Sequence, residues 1–187
     1  MGECMDEREE KPDILRAKIV LLEMIIDRYH KVIEESETKT VSEMKEMVDP
    51  DRPGIRELIR DIKESFTDYD QKRDLLSAVN LLLDRLRGIV IVEPPVQFWA
   101  DPEEVLRKGV GDRMDLAIIS CSVMIGLGCS SARVLVLEDG TPHVMFVYDG
   151  RHQMIDLVNM IVKPLDPNLK KRYSFNDREF TNYQEEV

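Results

Sequence analysis

Cysteine is scarce in this 187-residue chain, with only Cys4, Cys121 and Cys129 present. An odd, low count without a C-x-x-C pair excludes a disulfide framework and reads as reduced, intracellular thiols. Histidine is equally scarce, at three. His30 and His152 have no partner at ligand spacing, so neither a metal nor a cofactor is expected. Long apolar runs are missing, and nothing approaches the roughly 18 residues needed to span a bilayer. Positive charge is short as well: 26 Lys and Arg stand against 37 Asp and Glu, for a net charge of −11. With a pI near 4.8, non-specific nucleic-acid binding and docking on anionic membranes are excluded, since both need clustered positive charge. The opening Met-Gly-Glu-Cys-Met-Asp has neither a basic nor an apolar region of the secretory kind. Gly2 lacks the Ser or Thr four residues on that N-myristoylation wants, because Asp6 stands there. A cytoplasmic location is the expectation. Gly109-Val-Gly111 lacks the spacing and strand–helix context of a phosphate loop.

What is present suits a soluble domain. Hydrophobic residues make up 43% and charged residues 34% of the chain, and a chain of this length builds one core without staples. Residues 1–11 are acidic and read as a disordered N-terminus. Residues 12–50 form an N-terminal helical segment. In it Leu15, Ile19, Leu22, Ile26, Tyr29 and Ile33 recur at steps of three and four, one face of a long helix. Leu21, Ile25 and Val32 widen that stripe, which predicts a helix gripped on two sides. Val41–Val48 is a shorter helical piece, and Asp49-Pro-Asp-Arg-Pro-Gly54 marks a boundary. Beyond it, Ile55, Leu58, Ile59, Ile62 and Phe66 form a clean helical stripe. Another helix runs from about Asp70 to Arg87, closed by Gly88.

Ile89–Val92 is β-branched and short, as a strand would be. Asp101-Pro-Glu-Glu104 is a dense helix start: a cap, a proline at the first helical position, and two acids at the positive end of the dipole. Asp112 caps a further helix to about Leu127 that is apolar all round, and hence buried. After Gly128 the period changes. Ala132–Glu138, residues 143–148 and Met154–Leu157 read as strands, separated by the hairpin signals Asp139-Gly140 and Asp149-Gly150. The order predicts an α+β fold, with helices packed on an antiparallel sheet. One domain spans residues 51–165, and residues 166–187 read as a polar C-terminal tail.

The stretch Phe98 to Ala117 resembles the transglutaminase-like superfamily, relatives of papain-type cysteine proteases. The pattern comprises Trp99, the Pro102-Glu-Glu104 helix start and Gly111-Asp112-x-x-Asp115 opening a buried helix. That helix ends in Gly126-Leu-Gly128, and the strand Ala132-Arg-Val134 follows. His143 opens the next strand and Asp156 closes the one after it. The resemblance covers roughly residues 54–160. It implies a papain-like core, with the catalytic triad at positions 113, 143 and 156. It also implies Trp99 packed beside the site; Trp99, Asp112 and Asp115 are the candidate ligand-binding residues.

One departure decides the chemistry. Where the superfamily has its nucleophilic cysteine, this chain has Arg113. A thiolate at a helix N-terminus beside an imidazolium is a competent nucleophile, whereas a guanidinium stays protonated and is none. Asp112, Asp115 and Asp156 are the partners expected for the cation. Cys121, eight residues on, is turned about 80° and displaced about 12 Å along the helix, among apolar side chains. Three readings follow. The first is a non-catalytic protein- or peptide-binding module, a pseudoenzyme whose Arg113 takes a carboxylate from an acidic side chain or chain end. The second is an active cysteine hydrolase, protease or acyl-transferase using another cysteine. The third is a helical interaction protein acting through residues 12–48, self-association included.

Overall fold

The computed structural model describes residues 12–96 and 98–184, with side chains from residue 15 onward. The acidic stretch 1–11, with Cys4, lies outside the described residues. The chain divides into two units. The first is built on the 25-residue helix α1, Pro12–Ser36, with Pro95–Phe98. The helix is where the spacing predicts it, but it is not gripped on two sides. Leu15, Ile19, Leu22 and Tyr29 on one stripe and Leu21, Ile25 and Val32 on the other are all exposed.

The second unit holds the remaining elements. Helices α2 (Val41–Met47), α3 (Pro53–Glu64) and α4 (Gln71–Leu86) come first. Thr40 and Glu43 close a reciprocal capping box on α2, which satisfies two backbone donors that a helix start leaves over. Pro53 takes the first turn of α3, and Asp70 caps α4 through the Arg73 N–H. A two-residue strand β1, Val90–Ile91, pairs in parallel with β2, Val110–Gly111, across α5 (Pro102–Lys108). Helix α6, Arg113–Gly126, follows. From Leu116 to Met124 all its side chains are buried, as its largely apolar composition requires.

Strands β3 (Arg133–Leu137), β4 (Pro142–Tyr148), β5 (Arg151–Asp156), β6 (Ile161–Pro164), β7 (Lys171–Phe175) and β8 (Phe180–Asn182) make one antiparallel sheet. Their order is β6-β5-β4-β3-β7-β8. Asp149 and Gly150, both at positive φ, turn β4 into β5, the backbone that a tight hairpin of this hand demands. Helix α6 packs on β3 and β4, with α3 and α4 against it, and the core between them includes Ile55, Leu82, Leu116, Ile119, Phe146 and Phe175. The reading of 166–187 as a tail is corrected here. These residues carry β7 and β8, with Phe175 opposite Val134 of the central strands. No helix among the described residues is long and apolar enough to cross a membrane.

Candidate functional site

Two elements carry the residues singled out from the sequence: the start of α6, and the β4–β5 pair with the turn that follows. At the helix start, Asp112 is the N-cap. Its Oδ1 accepts the Asp115 N–H at 2.9 Å, and Asp115 Oδ2 accepts the Asp112 N–H at 2.9 Å. Both carboxylates are therefore committed to the helix end. Asp115 is only 4% exposed. Burial pushes its carboxyl up to about 6, and the backbone N–H groups of Asp112 and Ala100 offset that only in part. Gly111 has no room for a side chain, since a Cβ there would sit 2.8 Å from Val105 Cγ1 and 3.1 Å from Asp115 Oδ2.

Arg113 is the first residue of α6. Its Nη1 donates to Glu93 Oε1 at 2.8 Å, with the guanidinium side chain 33% and the carboxylate side chain 83% exposed. Its Nε is buried without a hydrogen-bond partner. The expectation of Asp112, Asp115 or Asp156 as partner is corrected: among the described residues the cation is held by Glu93 alone. The first two carboxylates each give one oxygen to the capping box, and Asp156 is occupied elsewhere. Sequence reasoning missed Glu93, which lies twenty residues upstream in a loop with no local pattern to single it out.

On the sheet, His143 is 5% and Asp156 is 3% exposed. His143 Nδ1 lies 3.9 Å from Asp156 Oδ1, too long for a hydrogen bond, and accepts the Leu157 N–H at 3.4 Å. A ring whose Nδ1 accepts carries its proton on Nε2. Burial lowers the His143 pKa, the Asp156 charge notwithstanding, so the ring is neutral at neutral pH. Asp156 Oδ2 takes Lys163 Nζ at 2.5 Å and Asn159 Nδ2 at 2.9 Å, while Oδ1 takes the Val158 and Asn159 N–H groups at 3.0 and 3.2 Å. Burial opposes that charge, but the hydrogen bonds from Lys163 and Asn159 outweigh it and hold the carboxyl well below the usual range. Lys163 and Asn159 are the site neighbours that the sequence reading passed over.

Trp99 is half-buried and packs against the core. It lines a hollow of about 260 Å³ with Met47, Arg52 and Asp101, and none of Arg113, His143 and Asp156 lines that space. The two described cysteines are buried, at 0% for Cys121 and 1% for Cys129, and burial pushes both thiols up. Among the described residues no group of three or more His, Cys, Asp or Glu side chains could hold a metal ion.

A buried helix set against an antiparallel sheet, its start carrying Gly111-Asp112-Arg113, with His143 and Asp156 on successive strands, gives an α+β fold of the transglutaminase-like kind. Legionella pneumophila LapG is similar in structure, with a TM-score of 0.54 and 15% identity over 85% of this chain and 88% of that one. An EGTA-treated form of LapG gives the same TM-score and identity over 85% and 86%. No protein-family model and no curated protein matches the chain by sequence.

Proposed function

We propose that this chain is a non-catalytic, transglutaminase-like binding module in which Arg113 takes a carboxylate from a peptide or protein. The observation that carries the reading is the Arg113–Glu93 pair. A helix start already favours anions, and a guanidinium there adds a fork-shaped donor set suited to a carboxylate. Glu93 fills that position from a loop, with its side chain 83% exposed, and such an exposed pair contributes at most about 1 kcal/mol. An incoming carboxylate that brings contacts of its own can displace it. The buried, raised thiols of Cys121 and Cys129 argue against either of these two described cysteines as a substitute nucleophile, since the reactive form is the thiolate.

The test compares a short peptide bearing a free C-terminal carboxylate with its amide. The acid should bind more tightly, and Arg113→Gln should abolish the difference. Glu93→Gln, which vacates the guanidinium, should tighten the acid by roughly 3- to 10-fold, consistent with about 1 kcal/mol for the displaced pair. Equal binding of acid and amide, or an Arg113→Gln protein that still prefers the acid, sinks the reading. So does turnover of a peptide or glutamine substrate that thiol alkylation abolishes.

A further inference from the structure

We infer that α1 is a dimerisation seam: two copies of this chain pair through a parallel, in-register two-stranded coiled coil over residues 15–33. The inference rests on α1 alone. The steps Leu15, Ile19, Leu22, Ile26, Tyr29, Ile33 alternate four and three without a break. That is a seven-residue repeat, with Leu15, Leu22 and Tyr29 at its d positions and Ile19, Ile26 and Ile33 at its a positions. β-Branched residues at every a position, with leucine at two of the three d positions, are the combination that favours two parallel strands over three or four. In that register Lys18 of one copy, at g, faces Glu23 of the other, at the following e, so the flanking charges are opposite in sign across the seam.

The helix is long enough for this. Its 25 residues extend about 37 Å at 1.5 Å each. Among the described residues its apolar surface is also open. Leu15, Ile19, Leu22 and Tyr29 are 45%, 55%, 57% and 51% exposed, with Ile25 at 46% and Val32 at 62% beside them at g. Ile26 and Ile33 are half-buried, so the open part of the seam is chiefly its N-terminal two thirds. Monomeric soluble proteins rarely leave so large a contiguous apolar surface uncovered, and a second copy of the same stripe is the occupant whose spacing fits it residue for residue.

Sedimentation equilibrium on the full chain at micromolar concentration tests this. The unaltered protein should have the mass of a dimer, and Ile19→Asp with Leu22→Asp should halve it. Met24 is 63% exposed, more than any seam residue, yet it stands at f, facing away from the seam. Met24→Asp should leave the dimer intact, a result that non-specific apolar association would not give. Leu22→Cys in a Cys4→Ser background should form an interchain disulfide on mild oxidation, because d positions meet across a parallel seam. A monomeric wild-type protein, equal disruption by Met24→Asp, or a dimer in which Cys at 22 fails to cross-link would each overturn the inference. Circular dichroism of the variants checks that the rest of the chain stays folded, since Ile19, Leu22 and Met24 are all exposed.

Discussion

Asp115 at the start of α6 and Asp156 at the end of β5 are buried to the same degree, 4% and 3% exposed, yet their acidities move in opposite directions. Asp115 is pushed up to about 6, while Asp156 falls well below the ordinary carboxylate range. The desolvation penalty raises both, so partners decide the outcome. Asp156 receives an ammonium, a side-chain amide and two backbone N–H groups. Asp115 receives backbone N–H groups only and has the Asp112 carboxylate beside it. The strand end is thus built to hold a charge and the helix end is not. The cation placed at that helix end, Arg113, turns away to Glu93 rather than relieving Asp115.

The largest effect should come from removing the charge that is held. Asp156→Ala leaves Lys163, Asn159 and two turn N–H groups without their acceptor, and each buried donor left unsatisfied costs about 1–3 kcal/mol. Since Lys163 is 43% exposed and can turn to water, the total should be about 2–4 kcal/mol. At roughly 2–4 °C per kcal/mol for a domain of this size, that is a fall in Tm of about 5–15 °C. The sign with pH follows from a depressed native pKa. The stabilisation is present above the unfolded value near 3.9 and is lost as pH falls below it. Thermal melts of wild type and variant should therefore converge in acid, and a constant gap down to low pH would contradict the network.

The helix end should behave in the opposite sense. The unfolded chain releases the Asp115 proton near pH 3.9 and the native chain near 6, so the native state binds more protons in between. The Asp115 contribution then falls as pH rises from about 4 to 6 and stays low above that. Asp115→Asn keeps an acceptor for the Asp112 N–H and removes the buried charge. It should stabilise the protein by about 1–2 kcal/mol at pH 7 and by little at pH 4. Urea unfolding at the two pH values measures this, and a loss of stability at pH 7 would show that Asp115 carries a favourable charge after all.

How much of this was legible in the sequence depends on how local the signal is. Asp112 as a cap, the buried α6 and the Asp149-Gly150 hairpin all declare themselves within a few residues, through cap chemistry, apolar composition and turn type. Strand β7 does not. Its buried residues Ser174 and Phe175 are adjacent rather than alternate, and its other residues Lys171, Arg172 and Tyr173 read as a polar tail. Lys163 reaches Asp156 because β5 and β6 form a hairpin with Asp156 opposite Ile161, and that short strand was not read. Glu93 meets Arg113 through tertiary structure alone. On the functional side the positions 113, 143 and 156 came from the resemblance. What no pattern contained was that His143 accepts from the Leu157 N–H instead of donating to Asp156.

That last detail sets the smallest expected effect and the sharpest. Arg113→Cys puts a thiol at the start of α6. The cation it removes is paired only with an exposed carboxylate, so stability should change by no more than a few tenths of a kcal/mol. The loss of a charge from the positive end of the helix dipole favours the variant slightly, and the lost ion pair opposes it. Reactivity is the more informative readout. A poised thiol needs an imidazolium or an imidazole base held by its aspartate. In this chain the ring has its proton on the nitrogen that would have to accept, and its aspartate is spent on Lys163 and Asn159. Burial moreover keeps His143 neutral. The new thiol should therefore feel the helix end alone and ionise above pH 7, as measured by the pH dependence of iodoacetamide labelling. A thiolate forming below pH 7 would mean that His143 can release Leu157 and turn to Asp156. The strand side would then be a working catalytic half rather than a structural one, lacking only its nucleophile.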